Sequence, residues 1–370
     1  MKHVFADATP TAFRVLKDTL ERVREKHPDR KVMMLQDSMA LGSAPFMYGA
    51  PLPKGYTSFP RVISFHTSIY AAHDYSVPPF GAGMPYDPTP ENLAMWRSIY
   101  DSIQPQVDDL SSYFNNIYRE LGATRPMTGA MLDGIIQACD LMVMATTPSL
   151  DYPIASSNPK VRFIGGLPLK PLDPNFAYPD WWPLITANSA LPASSPEKKK
   201  VVFVSQGTVH RDYTELLIPT LKVLSGRKDL IVIATLGARG ATPPAELDVL
   251  PDNFKIVDYF PYDALLPHTD VFVSNAGYGG FMHGIMNGVP MVLAGTKADK
   301  AEVCQRAEWA GVGVNLRAQN PSGEAIREAV DKVLGDGKFK ARALELKKEN
   351  EQMNCLETFE KIVYEIAAMD

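Results

Sequence analysis

Residues 270–290 read DVFVSNAGYGGFMHGIMNGVP. A β-branched apolar run passes through a glycine cluster into a helical pattern. That is the sequence form of a strand feeding a helix, the repeating unit of a parallel sheet. Working outward, the same alternation continues on both sides. Upstream lie the strand KKKVVFVSQGT, the helix TELLIPTLKVLSG, the strands LIVIATLG and FKIVDYFP, and a short helical turn, DALLPH. Downstream come the strand PMVLAGT, a helix through Ala310, and the strand VGVNL. Near-continuous apolar strands alternating with helices predict a sheet covered on both faces. The expected fold is therefore α/β and doubly wound, with a ligand beyond the carboxyl ends of the strands.

The N-terminal half carries a second, shorter series. An amphipathic helix, TPTAFRVLKDTLERVREKH, is followed by the strands KVMMLQD and RVISFHT. A helical region then spans about residues 90–122, followed by the helix TGAMLDGIIQAC and the strands LMVMATT and VRFIGG. Between the halves lies PLKPLDPNFAYPDWWPLITANSALPASSPEKKK, rich in Pro, Ser and aromatic residues and without a clear period. The expected division is residues 1–178 for a partial N-terminal domain, 179–197 for a linker and 198–345 for the C-terminal domain. Helices over 346–370 are expected to pack back toward the N-terminal domain.

The bulk properties exclude several classes. The chain has 370 residues, 45% hydrophobic and 21% charged, with a net charge of −5. A nucleic-acid binder would show a basic face. No apolar run is long enough to span a membrane, and the N-terminus MKHVFADATP has no apolar signal core. Cys139, Cys304 and Cys355 are too scattered for a disulfide framework or a CxxC metal site. A reducing compartment, the cytoplasm, is expected.

The glycines of the opening stretch admit two readings. They either make a tight turn or clear the way for a phosphate at the N-terminus of the following helix, where unpaired N–H groups carry about half a positive charge. Two neighbouring loops favour the second. SQGT, residues 205–208, ends one strand of the same sheet with hydroxyls and a glycine. TKADK, residues 296–300, ends another with a carboxylate and an ammonium, the pair that reads sugar hydroxyls.

With these loops in view, the C-terminal half resembles the nucleotide-sugar domain of the family 1 glycosyltransferases, the UDP-glycosyltransferases, proteins of two Rossmann-like domains in the GT-B architecture. The family signature begins Trp-x-Pro-Gln, continues through His-Cys-Gly-Trp-Asn-Ser and Gly-Val-Pro, and ends at Asp-Gln. Here it reads YFPYDALLPHTDVFVSNAGYGGFMHGIMNGVPMVLAGTKADK. The similarity runs from near Phe5 to the C-terminus and is strongest from Val201 to Leu316. The NxGYGG form resembles a microbial branch. The resemblance implies that Tyr259 stacks on the base and that the backbone at Tyr262 reads the base edge. Asn275 stands at the diphosphate-contacting His. Gly277, Tyr278, Gly279 and Gly280 form the phosphate turn, and Ser205, Gly207 and Thr208 flank the phosphates. His283 stands where a Glu usually holds the ribose, and is equally readable as a polar residue beside the cleft. Asp299 and Lys300 contact the sugar.

The implied activity is metal-independent, inverting transfer of a hexose from a UDP-sugar to a hydroxyl of a lipophilic small molecule, as in secondary metabolism. No cofactor is needed, and the partners are the UDP-sugar and the small-molecule acceptor. Asp37, in VMMLQDSMALG, resembles the family's acidic residue that orients the catalytic His; it also reads as a cap on the helix after the strand. The His itself, with about three strands, would lie upstream of Met1. The chain is thus expected to be truncated relative to the family, to expose KVMMLQD as an edge, and to self-associate or pair with a complementing N-terminal fragment. A catalytically impaired nucleotide-sugar-binding pseudoenzyme is the alternative, and an epimerase of similar shape a more distant one. His66 and His73 lack a metal spacing and read as loop or core residues, and His27 and His210 as exposed. FMYGAPLPKGYTSF and PPFGAGMPY either line an acceptor pocket or pack a core.

Overall fold

A computed structural model describes residues 2–71, 73–247 and 251–369. Its strands fall into two parallel sheets. The first contains β1 (Met33–Asp37), β2 (Arg61–His66), β3 (Leu141–Met144) and β4 (Val161–Phe163), in that spatial order. The second contains β5 (Lys200–Ser205), β6 (Leu230–Thr235), β7 (Phe254–Val257), β8 (Val271–Ser274), β9 (Met291–Leu293) and β10 (Gly313–Asn315). Its order is β10-β9-β8-β5-β6-β7. The two predicted strand series therefore both form. In the second sheet the chain builds outward from β5 through β7, then returns to the other side of β5 with β8. Neighbouring strand ends whose connections diverge leave a crevice. Here that point lies between Ser205 and Ser274, which are paired in register.

Burial explains why the second sheet was so readable. Every residue of β6 and β8 is buried. Val201, Phe203, Ile231, Ile233 and Phe272 face one core, and Val202, Val204, Val232, Ala234 and Val273 face the other. The helices over each face follow the 3.6-residue period. Helix α1 (Thr9–Lys26) buries Phe13 and Leu20. Helix α2 (Pro90–Glu120) and α3 (Met131–Ala138) cover one face of the first sheet through Phe114, Tyr118 and Ile135.

A helix between the halves escaped the sequence reading. The expected linker holds helix α4 (Trp182–Ala190). Its apolar residues are not gathered on one face. Trp181 and Trp182 instead pack around the buried ring of Phe260, so tertiary contacts define the helix.

The second sheet is completed by α5 (Leu217–Leu224), α6 (Tyr278–Met286), α7 (Lys300–Trp309), α8 (Gly323–Gly335) and α9 (Gly337–Gln352). Helix α10 (Cys355–Ala368) crosses to the first sheet. Its Ile362 and Ile366 pack on Ile63, Leu141 and Val143. Strand β1 forms the outer edge of the first sheet, where Leu35 is 59% exposed. No helix among the described residues is long and apolar enough to cross a membrane.

The two halves meet where β4 ends. Gly165 has a left-handed φ of +82, and a Cβ there would lie 2.5 Å from the Asn350 carbonyl oxygen and 2.7 Å from the Met353 Cβ. Gly165→Ala should therefore destabilise the protein by about 1–3 kcal/mol through backbone strain and this clash, seen as a lower Tm in thermal unfolding. Gly226→Ala, with nothing within 4 Å of the new Cβ, should change stability by no more than about 0.5 kcal/mol. Equal Tm values for the two variants would contradict the close approach.

Candidate functional site

After β8 the chain runs through Asn275, Ala276 and Gly277 into α6. The left-handed residue in this turn is Ala276, with φ 58. Gly277, the N-cap, has an ordinary φ of −62, and no side chain caps the helix. A Cβ on Gly277 would meet nothing nearer than the Asn275 Oδ1 at 3.7 Å, and one on Gly279 nothing within 4 Å. The fold thus leaves room for side chains at these glycines. A tight turn does not account for them. They leave the first N–H groups of α6 bare.

Beside this helix start lies a cavity of about 520 Å³ at the carboxyl ends of β5, β6 and β7. It brings together Gly207, Thr208, Tyr259, Tyr262, Gly279, Gly280 and His283, seven of the residues singled out in the sequence. Arg239, from the loop after β6, lies over the Tyr259 ring at 4.6 Å. Asp258 joins the two segments by accepting from the N–H groups of Tyr259 and Gly240.

Other residues singled out in the sequence serve the walls. Ser205 is fully buried. Its hydroxyl bonds the Tyr262 phenol at 2.5 Å and accepts from the Gly207 N–H. The Asn275 amide donates to the Gln206 carbonyl and its Oδ1 accepts from the Gly277 N–H, which ties the β5 and β8 loops together. Both side chains hold loops in place. The Tyr278 hydroxyl is buried in the interior, so only the backbone of that residue is offered to the turn.

His283 is held in a way the sequence did not show. Its Nδ1 lies 2.7 Å from Asp263 Oδ1, and Asn287 donates to the same oxygen. Burial works to raise the Asp263 pKa, but the hydrogen bonds from His283 and Asn287 prevail and hold it below its usual value. With Nδ1 engaged, the imidazole presents Nε2 as its remaining polar atom. A legible signal existed: His283 and Asn287 are four residues apart on α6 and share a face.

Asp299 and Lys300 sit where α7 begins, on the side facing the first half. Asp299 is the N-cap of α7, yet its carboxylate makes no capping bond. Its Oδ2 accepts from Ser68 Oγ at 2.7 Å. Lys300 is buried, which lowers its pKa, and its Nζ lies 3.3 Å from His210 Nδ1. His210 is therefore half-buried beside Lys300, contrary to the expectation that it is exposed.

Across the seam, Asp37 ends β1. Its Oδ1 accepts from the Met39 N–H, and its Oδ2 from Thr67 Oγ1 at 3.3 Å. The carboxylate caps its own turn and also reaches the end of β2. His66 is buried, with Nδ1 2.8 Å from Ser38 Oγ and Nε2 2.9 Å from the Ile69 carbonyl. Burial lowers its pKa and keeps the ring neutral. It is a core residue. No cluster of metal-ligating side chains occurs among the described residues.

The two aromatic loops of the N-terminal half are also packed. Phe46 stacks between Phe13 and Phe59. The strap containing PPFGAGMPY lies on α7, where the Gly81 and Gly83 N–H groups donate to Glu302. A larger cavity, about 670 Å³, is lined by Met47, Tyr56 and Arg61 near the amino ends of the first sheet, away from the crevice.

The chain is similar to several known proteins. Residues 222–365 match the family described as erythromycin biosynthesis protein CIII-like, C-terminal domain. The chain is 42% identical over 368 residues to UDP-glucosyltransferase 1 of Beauveria bassiana, covering 98% of this chain and 78% of that protein. It is 31% identical to UDP-glycosyltransferase 2 of Phaeomoniella chlamydospora, over 100% of this chain and 78% of that one. The glycosyltransferase of kitacinnamycin has the same fold, with a TM-score of 0.65 at 18% identity over 95% of this chain and 80% of that chain.

The Asp263 contact carries a sign that can be checked. A carboxyl held below its unfolded value stabilises the fold above that value, and the stabilisation is lost as pH falls through the lower folded value. Asp263→Asn should thus lower Tm relative to the parent at about pH 6, and the gap should close below about pH 4. A gap that stays constant down to acid pH would show that ionisation of Asp263 does not contribute.

Proposed function

The chain belongs to the UDP-glycosyltransferase family, and from that premise we propose that it moves a hexose from a UDP-sugar to a hydroxyl of a lipophilic small molecule, with inversion and without a metal ion. The observation that carries this reading is the bare start of α6, an uncapped helix whose N-cap glycine has an ordinary φ and room for a methyl group. The fold has no use for that vacancy; an approaching diphosphate does. The N–H groups of the first turn and the positive end of the helix meet its charge. Gly207 and Thr208 flank it, Tyr259 stacks on the base, and His283, oriented by Asp263, meets the ribose through Nε2. Asp299 and Lys300, beyond the diphosphate, take the sugar.

In an inverting displacement the acceptor oxygen attacks the anomeric carbon from the face opposite the diphosphate. The carbon–oxygen bond to the diphosphate breaks, and its electron pair leaves with UDP. The acceptor oxygen must give up its proton to a general base, and Asp37 stands where the resemblance puts the carboxylate that orients such a base. The negative charge growing on the departing diphosphate is met by fixed N–H dipoles, which need no reorganisation during the reaction. The cytoplasm suits the three buried free thiols, Cys139, Cys304 and Cys355.

Two variants test the donor assignment. Gly277→Ala should leave Tm unchanged or slightly raised but weaken UDP binding by about 1–3 kcal/mol, the range for forcing a methyl group into a filled site. Tyr259→Ala should cost about 1–3 kcal/mol of UDP affinity, the range for base–aromatic stacking. Calorimetric titration measures both. Unchanged UDP affinity in the two variants would sink the assignment.

A further inference from the structure

We propose that Ser68, from the N-terminal half, is a positioning residue for the sugar-contacting carboxylate of Asp299 in the C-terminal half. The proposal rests on the reading of Asp299 given above.

The first observation is an omission in α7. An Asp at a helix N-cap ordinarily accepts a hydrogen bond from the N–H two or three residues on. Asp299 does not. The N–H groups of Glu302 and Val303 bond its backbone carbonyl instead. The preceding residue, Ala298, has a left-handed φ of 55, so the chain enters the helix in a strained conformation. Freed from capping, the carboxylate turns across the seam, where Ser68 Oγ donates to its Oδ2 at 2.7 Å. Among the described residues its Oδ1 makes no hydrogen bond, which leaves it open to a ligand. A carboxylate accepts several hydrogen bonds, so Ser68 and a sugar hydroxyl can be held at once.

The second observation is that Ser68 is itself fixed. On one side His66 bonds the Ile69 carbonyl through Nε2 and Ser38 through Nδ1. On the other, the Tyr70 N–H donates to Asp151 Oδ2 at 2.7 Å, and the Tyr70 carbonyl accepts from Arg306 at 3.1 Å. Arg306 belongs to α7, the helix that Asp299 begins, and it also bonds Asp151. The loop bearing Ser68 is thus pinned to the helix bearing Asp299 at a second place. Only the hydroxyl rotor of Ser68 is left to choose, and its bond to Asp299 sets which way the carboxylate faces.

Calorimetric titration of the full chain with UDP and with UDP-glucose tests the idea. Ser68→Ala should raise the Kd for UDP-glucose about 3- to 10-fold, the worth of one ordinary hydrogen bond, because Ser68 acts on the sugar only through Asp299, and leave the Kd for UDP within about twofold. Ser68→Thr, which keeps the hydroxyl, should restore UDP-glucose binding. In an Asp299→Ala background, Ser68→Ala should cause no further loss, because the two residues act through one contact. A purely structural role would weaken both ligands alike and would not be rescued by Thr. Equal losses for UDP and UDP-glucose, or a full additional loss on top of Asp299→Ala, would overturn the proposal. If Asp299→Ala itself fails to separate the two ligands, the donor reading of Asp299 falls, and the role of Ser68 falls with it.

Discussion

The Arg306 guanidinium is the constraint on which the rest of the structure depends. It is 4% exposed and sits where the two halves meet. Its Nε bonds Asp151, another nitrogen bonds Glu302, a third bonds the Tyr70 carbonyl, and its plane lies 3.4 Å from the Tyr152 ring centroid. Asp151 comes from the first half, and Glu302 from α7 itself. Both carboxylates also accept backbone N–H groups, from Tyr70 and Tyr152 and from Gly81 and Gly83. Taking these charges out of water is costly, and a buried ion cluster is a poor source of net stability. Removing one member is another matter, since it leaves an uncompensated charge at a cost of about 3–5 kcal/mol. The cluster therefore fixes how the halves fit together. A planar fork satisfies three fixed acceptors at once, which a lysine cannot do.

That registration matters because the candidate site is assembled from both halves. The donor cavity belongs to the second sheet, whose strand order opens a crevice between β5 and β8. The start of α7, proposed to face the sugar, belongs to the helix that Arg306 locks to the first half. Left-handed alanines, Ala276 and Ala298, mark the loops after β8 and β9. Each costs about 1–3 kcal/mol of backbone strain, and such strain gathers at functional loops held by rigid surroundings. The surroundings here are sheet strands that are buried throughout.

The sequence revealed the strands and the glycine-bearing loops at their ends because both leave local marks. β-branched runs and strand–glycine–helix transitions can be read within a window of about 18 residues. The contacts that organise the site leave none. Ser68 and Asp299 are 231 positions apart, and Arg306 and Asp151 are 155 apart. Nothing near any of them announces the partner. His210 looked like a solvent-facing residue because its own neighbours are polar. The sheet return that brings it beside Lys300 was visible only as topology. Asn275 and Ser205 show the converse limit. The sequence marked them by resemblance, and the structure occupies their side chains in holding loops together. Helix α4 was unreadable because rings outside it, those of Tyr178, Trp181 and Phe260, pack on its Trp182, while its own sequence has no apolar periodicity.

The dipeptide Thr67–Ser68 shows how the two levels join. Just past the end of β2 the Thr67 hydroxyl reaches Asp37, within the first half, and the Ser68 hydroxyl reaches Asp299, in the second. Two adjacent residues thus touch the carboxylate assigned to the acceptor side and the carboxylate assigned to the sugar. Each is a single hydrogen bond to a carboxylate, worth a few kcal/mol at most. Their value lies in being one residue apart. The Arg306 cluster, which holds the Tyr70 carbonyl two residues on, keeps them in place. The short loop after β2 thereby links two carboxylates, one ending a strand of the first sheet and one at the start of α7.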